Sequence, residues 1–122
     1  VALGKHGRLY VTTEGGGLGE QMPLGAVHKI SWWGGVQTVT EGLFAPVGIA
    51  ASPRGDLYVS QLFGGSIVKI KRGTSTAVPF VEVNMPAALE WSRNHLYATV
   101  DALIGPDEEN PDTPPGGRLV RY

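Results

Sequence analysis

GDLYVSQLFGGSIVKIKRG, residues 55–73, decides the fold. Two short apolar runs, LYV and SIVKI, flank a Gly-Gly break, and the second alternates with lysine. Runs this short, rich in β-branched and aromatic residues and bounded by glycine, are strands, because a helix usually needs about 10–12 residues of continuous pattern. The stretch is a hairpin, and its parts recur. Leu57-Tyr58-Val59, preceded by RGD, matches Leu9-Tyr10-Val11, preceded by HGR, and Leu96-Tyr97-Ala98, preceded by RNH. GSIVKI at 65–70 recurs as GAVHKI at 25–30 and as GRLVRY at 117–122. Between these landmarks QTVTEGLFAPVGIAASP (37–53) aligns with AVPFVEVNMPAALEWSR (77–93), pairing Pro46 with Pro86 and Ile49 with Leu89 at an offset of 40 residues.

Each unit reads as four short strands: VGIAAS or AALEWS after a proline, the LYV strand, the G-x-V-x-K-I strand, and a Thr/Val-rich strand such as QTVT or AVPFV. A repeat of about 40–45 residues with four antiparallel strands is the signature of a β-propeller blade. Near-continuous runs such as SIVKI fit sheets buried on both faces. The expected fold is all-β, with blade units at approximately 1–44, 45–84 and 85–122. Val1-Ala2-Leu3 aligns with Ile49-Ala50-Ala51 as the tail of a first strand, and Tyr122 follows a third strand, so the chain holds about two and a half blades. Closed propellers typically have about four to eight. The ring would then be completed by self-association or by a complementary propeller chain, two copies giving six blades. An isolated arc would expose strand edges and apolar sheet faces.

Composition agrees with many tight turns. Of 122 residues, 18 are Gly and 9 are Pro, 42% are hydrophobic and 17% charged. The net charge of −1 gives no basic excess that would point to nucleic acid. No apolar run approaches the roughly 20 residues of a membrane span. The absence of Cys excludes disulfides and thiolate metal sites. The opening VALGKHG, with neither Met nor a signal peptide, reads as that of a mature, processed or truncated product.

APVGIAASPRGDLYVSQLFGGSIVKI (45–70) resembles bacterial six-bladed propellers of the ScyD/ScyE type and, more broadly, NHL-like and virginiamycin B lyase-like propellers. The shared pattern is P-x-G-I-A, a small turn, x-L-Y-V, then glycine and V-x-K/R-I. NHLYATVDALIGPDEENPDTPPGGRLVRY (94–122) is similar to the long-loop blades of that group. The resemblance implies an extracytoplasmic or secreted protein that binds or scaffolds without catalysis. Virginiamycin B lyase acts with a metal through a catalytic His, and none of His6, His28 and His95 sits in a matching motif. A metal-dependent lyase or a lactonase/hydrolase is the alternative.

Chemistry is sought where extra chain length has been added. Thr12–Leu24 (TTEGGGLGEQMPL) is eight residues longer than its counterpart after Val59, and the stretch from Thr99 to Gly116 is longer still. Added loop length is often functional. DALIGPDEENPDTPPGG carries Asp101, Asp107, Glu108, Glu109 and Asp112, with Asn110 among them and no Lys or Arg before Arg118. Oxygen donors in a flexible loop suit Ca²⁺, although the spacing is not that of an EF-hand, and a solvated acidic loop is the plainer reading.

Glu14 and Asp101 each stand five residues after the first Leu of an LYV-type strand, with Leu62 in the third such place and Gln61 beside it. Glu14, Gln61 and Asp101 are therefore ligand-binding candidates, and the two carboxylates suit acid–base chemistry or cation binding. Trp32 and Trp33 in SWWGG suit sugar or partner binding, yet large aromatics are usually buried, so packing against the sheet is expected. Gly15-Gly16-Gly17-Leu18-Gly19 lacks the Lys-Ser/Thr of a phosphate loop and reads as a turn. Arg54-Gly55-Asp56 reads as a turn before a strand.

Overall fold

A computed structural model describes residues 1–4, 7–14, 24–102 and 116–122. The described residues form eleven strands in three antiparallel sheets. The first sheet holds β1 (Ala2–Leu3), β2 (Leu9–Thr13), β3 (Gly25–Ile30) and β4 (Val36–Leu43), in that order. The second holds β5 (Pro46–Ala51), β6 (Leu57–Gln61), β7 (Ser66–Ile70) and β8 (Ala77–Glu82). The third holds β9 (Leu89–Ser92), β10 (His95–Val100) and β11 (Arg118–Arg121). Within each sheet every strand pairs with the next in sequence.

Pairing follows one register in all three sheets. Leu9 lies opposite Ile30 and Leu57 opposite Ile70, while Leu96 exchanges both backbone hydrogen bonds with Tyr122. One residue on, Tyr10 faces Lys29, Tyr58 faces Lys69 and Tyr97 faces Arg121. The Lys69 ammonium stands 5.7 Å from the centre of the Tyr58 ring, so the aromatic also packs against the lysine at its strand partner's place. β2 and β10 run further than the sequence pattern suggested, because Thr13 still pairs with Ala26 and Val100 with Arg118. The loops after them accordingly begin at Glu14 and Asp101.

The second sheet is buried on both faces, as period-two side-chain placement requires of a middle layer. Leu57, Val59, Val68, Ile70 and Ile49 pack with Val27 and Leu43 of the first sheet. Tyr58, Ile67 and Ala50 point the other way, onto Leu89, Leu96, Ala98 and Val100 of the third. Tyr58 stacks on Trp91 at 5.5 Å and meets the edge of Phe80 at 5.0 Å. Among the described residues the outer sheets each keep a face without such a neighbour, and apolar side chains stand there: Leu3 and Val36 on the first, Leu119 on the third.

Candidate functional site

At one end of the sheets the second strand of each finishes beside the first strand of the next. A hydroxyl follows each LYV-type triplet: Thr12, Ser60 and Thr99. Thr12 Oγ1 donates to the carbonyl of Val47 at 2.9 Å, crossing from the first sheet to the second. Ser60 Oγ donates to the carbonyl of Ala87 at 2.6 Å, crossing from the second toward the third. Two of the hydroxyls also accept within their own sheets: Ser60 Oγ from Gly48 N at 2.8 Å and Thr99 Oγ1 from Ala88 N at 2.9 Å. Gly48 lets the sheets come this close, since a Cβ there would lie 2.0 Å from the Ala87 carbonyl oxygen. The sequence signal was present in LYVT, LYVS and LYAT, but a Ser or Thr at a strand end reads as an ordinary turn residue.

Gln61 sits one residue beyond that hydroxyl. Its Oε1 accepts from Phe44 N at 2.7 Å and its Nε2 donates to Ser66 Oγ at 3.0 Å. Asp101 does the same work in the third sheet. Oδ1 accepts from Asn84 Nδ2 at 3.0 Å and Oδ2 from Arg118 Nε at 3.0 Å. Asn84 holds the place of Phe44, and Arg118 that of Ser66, so both side chains tie the lead-in to a first strand to the start of a third. The Asn84 amide, and then the Arg118 guanidinium, hold the Asp101 carboxyl below the ordinary carboxylate range. The Asp101 backbone is left-handed, at φ 54°, where its N–H donates to the carbonyl of Asn84. With an Asn and an Arg already on its oxygens, Asp101 is fitted for holding a loop end rather than for accepting a proton.

Glu14 is exposed at the end of β2, and the second sheet stands between its sheet and that of Asp101. The two carboxylates therefore occupy like places on non-adjacent sheets. Asp107, Glu108, Glu109 and Asp112, with most of both long loops, lie outside the described residues. Among the described residues no three His, Cys, Asp or Glu side chains gather as a metal site. His28 lies between Thr13 Oγ1 and Thr38 Oγ1 at 3.1 and 3.2 Å, and His95 Nδ1 is 3.1 Å from the Tyr122 carbonyl, so both serve their own sheets.

The tryptophans overturn an expectation. Trp32 and Trp33 do not pack on the sheet; they are 90% and 72% exposed, edge to face with centroids 5.6 Å apart. The cause is the tight turn that carries them. Ser31 N donates to the Gly35 carbonyl at 2.9 Å and Gly34 N to the Ser31 carbonyl at 2.9 Å, which lifts both indoles off the strand ends. Trp33 folds over Gly35, where a Cβ would come within 2.9 Å of the indole nitrogen. Beside the pair runs a groove of about 460 Å³ with Arg8, Lys29 and Gln37 on its walls.

A second groove, of about 500 Å³, lies between the first and second sheets and shares those three residues. Its far wall is the turn after β7, in which Thr74 N donates to the Lys71 carbonyl at 3.0 Å, the same closure that Gly34 and Ser31 make. The two turns are equivalent, 40 residues apart in the alignment of the units. Arg54-Gly55-Asp56 is a structural turn as expected: Ser52 N donates to the Asp56 carbonyl at 2.9 Å, and Asp56 Oδ1 accepts from Arg72 N at 2.9 Å.

Comparison of the chain with protein-family models and with curated proteins found no match in either.

Proposed function

We propose that the three sheets are consecutive blades of a β-propeller whose ring is completed by another copy or a further chain, and that the protein is a non-enzymatic binding or scaffold module. The observation that carries this reading is the shared stitch: Thr12 and Ser60 each bond the carbonyl two residues before the repeat's Ile49 or Leu89 position, Val47 and Ala87. Two successive sheets joined by the same atoms in the same way are what a propeller repeats around its axis. The single register of the three hairpins supports it too. Ligand or partner binding belongs to the long loops at the stitched end, 12–24 and 99–116, and an extracytoplasmic setting follows from the ScyD/ScyE-type resemblance.

Light scattering on the purified chain tests the ring. A stable multiple of the 12.9 kDa chain mass supports it. A monomer that neither associates on concentration nor binds a dye for exposed apolar surface counts against it, since an open arc leaves Leu3, Val36 and Leu119 uncovered.

A further inference from the structure

We infer that the paired grooves at the unstitched end form a binding site for an acidic oligosaccharide, with Trp32 and Trp33 as the stacking platform and Arg8 and Lys29 as the anchors for its carboxylates. Three observations converge on one occupant. Two adjacent indoles at 90% and 72% exposure form an apolar surface carried on a closed turn. Exposed aromatic surface of this kind marks a binding face, and aromatic rings pair an apolar body with a polar handle. The grooves, at about 460 and 500 Å³, have the size of small-ligand sites.

Charge selects the ligand. Arg8 and Lys29 line both grooves, Lys71 and Arg72 line the second, and no Asp or Glu is among the described residues on either wall. Four cations on walls that carry no described Asp or Glu, in a chain of net charge −1, suit an anion, the neighbouring Asp56 carboxylate being held by Arg72 N at 2.9 Å and Lys69 Nζ at 3.7 Å. Arginine in particular grips a carboxylate in a two-pronged way. Gln37, Ser31 and Thr74 add amide and hydroxyl groups of the kind that meet sugar hydroxyls. A nucleic acid strand would ask for successive parallel rings along a track. The indoles here meet at 82°, offering one platform and one wall.

The site does not depend on the ring. Trp32 holds in the first sheet the place that Arg72 holds in the second, and the groove beside Arg72 stays open with sheets on both sides. A sheet docked on the first sheet's free face would cover Val36 at the edge of the tryptophan groove and turn it into an inter-sheet groove like the one beside Arg72, rather than close it.

Titration of the whole chain with oligogalacturonate, followed by calorimetry and by tryptophan emission, tests the inference. Saturable binding with a change in emission is expected, weakening with added salt, and a neutral galactose oligosaccharide is expected to bind at least about tenfold more weakly, the worth of one charge-assisted contact. Arg8→Gln with Lys29→Gln should lose about tenfold or more in affinity, and Trp32→Ala with Trp33→Ala should abolish binding, each with an unchanged circular dichroism spectrum. The inference falls if oligogalacturonate gives no heat, if the neutral sugar binds equally well, if oligothymidylate binds more tightly, or if the Arg8/Lys29 pair of substitutions leaves affinity unchanged. Because those two cations are on strand-end surfaces, that variant still decides the matter should the tryptophan variant fold poorly.

Discussion

Ser60 Oγ donates to the Ala87 carbonyl at 2.6 Å while accepting from Gly48 N at 2.8 Å, so one buried hydroxyl joins β5 and β6 to the chain entering the third sheet. Ser60 is fully buried. Removing the hydroxyl leaves a donor and an acceptor without their partner, a loss of about 1–3 kcal/mol. Ser60→Ala should therefore lower the urea midpoint clearly. An unchanged midpoint would show that the stitch contributes nothing to cohesion of the sheets.

Gly48→Ala should cost more than Ser60→Ala. Its methyl would be placed 2.0 Å from the Ala87 carbonyl oxygen, a backbone atom that yields only if the two sheets separate. Overpacking of this type costs about 1–3 kcal/mol or more, and here it also breaks the Ser60 bonds. Thermal melts of the two variants side by side give the ranking, and the reverse order would sink the close-approach argument.

Burial on both faces of the second sheet makes a paired prediction. Leu57 and Ile67 are 3% and 0% exposed and point to opposite sides. Each truncation to Ala should cost about 2–5 kcal/mol. A sheet packed on one side only would show one large and one negligible effect. Denaturant unfolding of Leu57→Ala and Ile67→Ala distinguishes the two cases.

Asp101 should give the acid limb of the stability curve part of its shape. Its folded carboxyl titrates below the ordinary value of 3.8, through the Asn84 and Arg118 hydrogen bonds. A depressed folded value means that the unfolded chain binds the proton first as pH falls. The contribution is thus fully present above pH 3.8 and is lost as pH drops through the lower folded value. Asp101→Asn should be less stable than the parent at neutral pH and converge toward it in acid. Urea midpoints between pH 7 and pH 2 that stay parallel for the two proteins would contradict this.

The strands were legible because their signal is local: LYV, SIVKI and their sisters are short, near-continuous runs of β-branched and aromatic residues set between turn residues. Burial on both faces of the second sheet was legible for the same reason. The roles of Gln61 and Asp101 were not. Their equivalence rests on what Phe44, Ser66, Asn84 and Arg118 present to them across a strand, and nothing in a linear spacing tells a tied carboxylate from a free one. Trp32 and Trp33 misled because burial preference is an average over positions. A five-residue turn closed by Ser31 and Gly35 decides the direction of its side chains by its own hydrogen bonds.

The stitch also has a direction. Thr12 gives to the second sheet and Ser60 gives toward the third, and among the described residues no bond of this kind runs back. A stack of sheets built on it therefore has polarity, with Thr99 holding the giving place in the third sheet. Two copies meeting through the same face would set donor against donor. On the proposed ring reading, partners joined by this stitch would add head to tail, and a heterologous contact of that kind either closes into a ring or continues without limit. In such an assembly the angle between neighbouring sheets, limited by the close approach at Gly48, would separate a finite ring from a fibre.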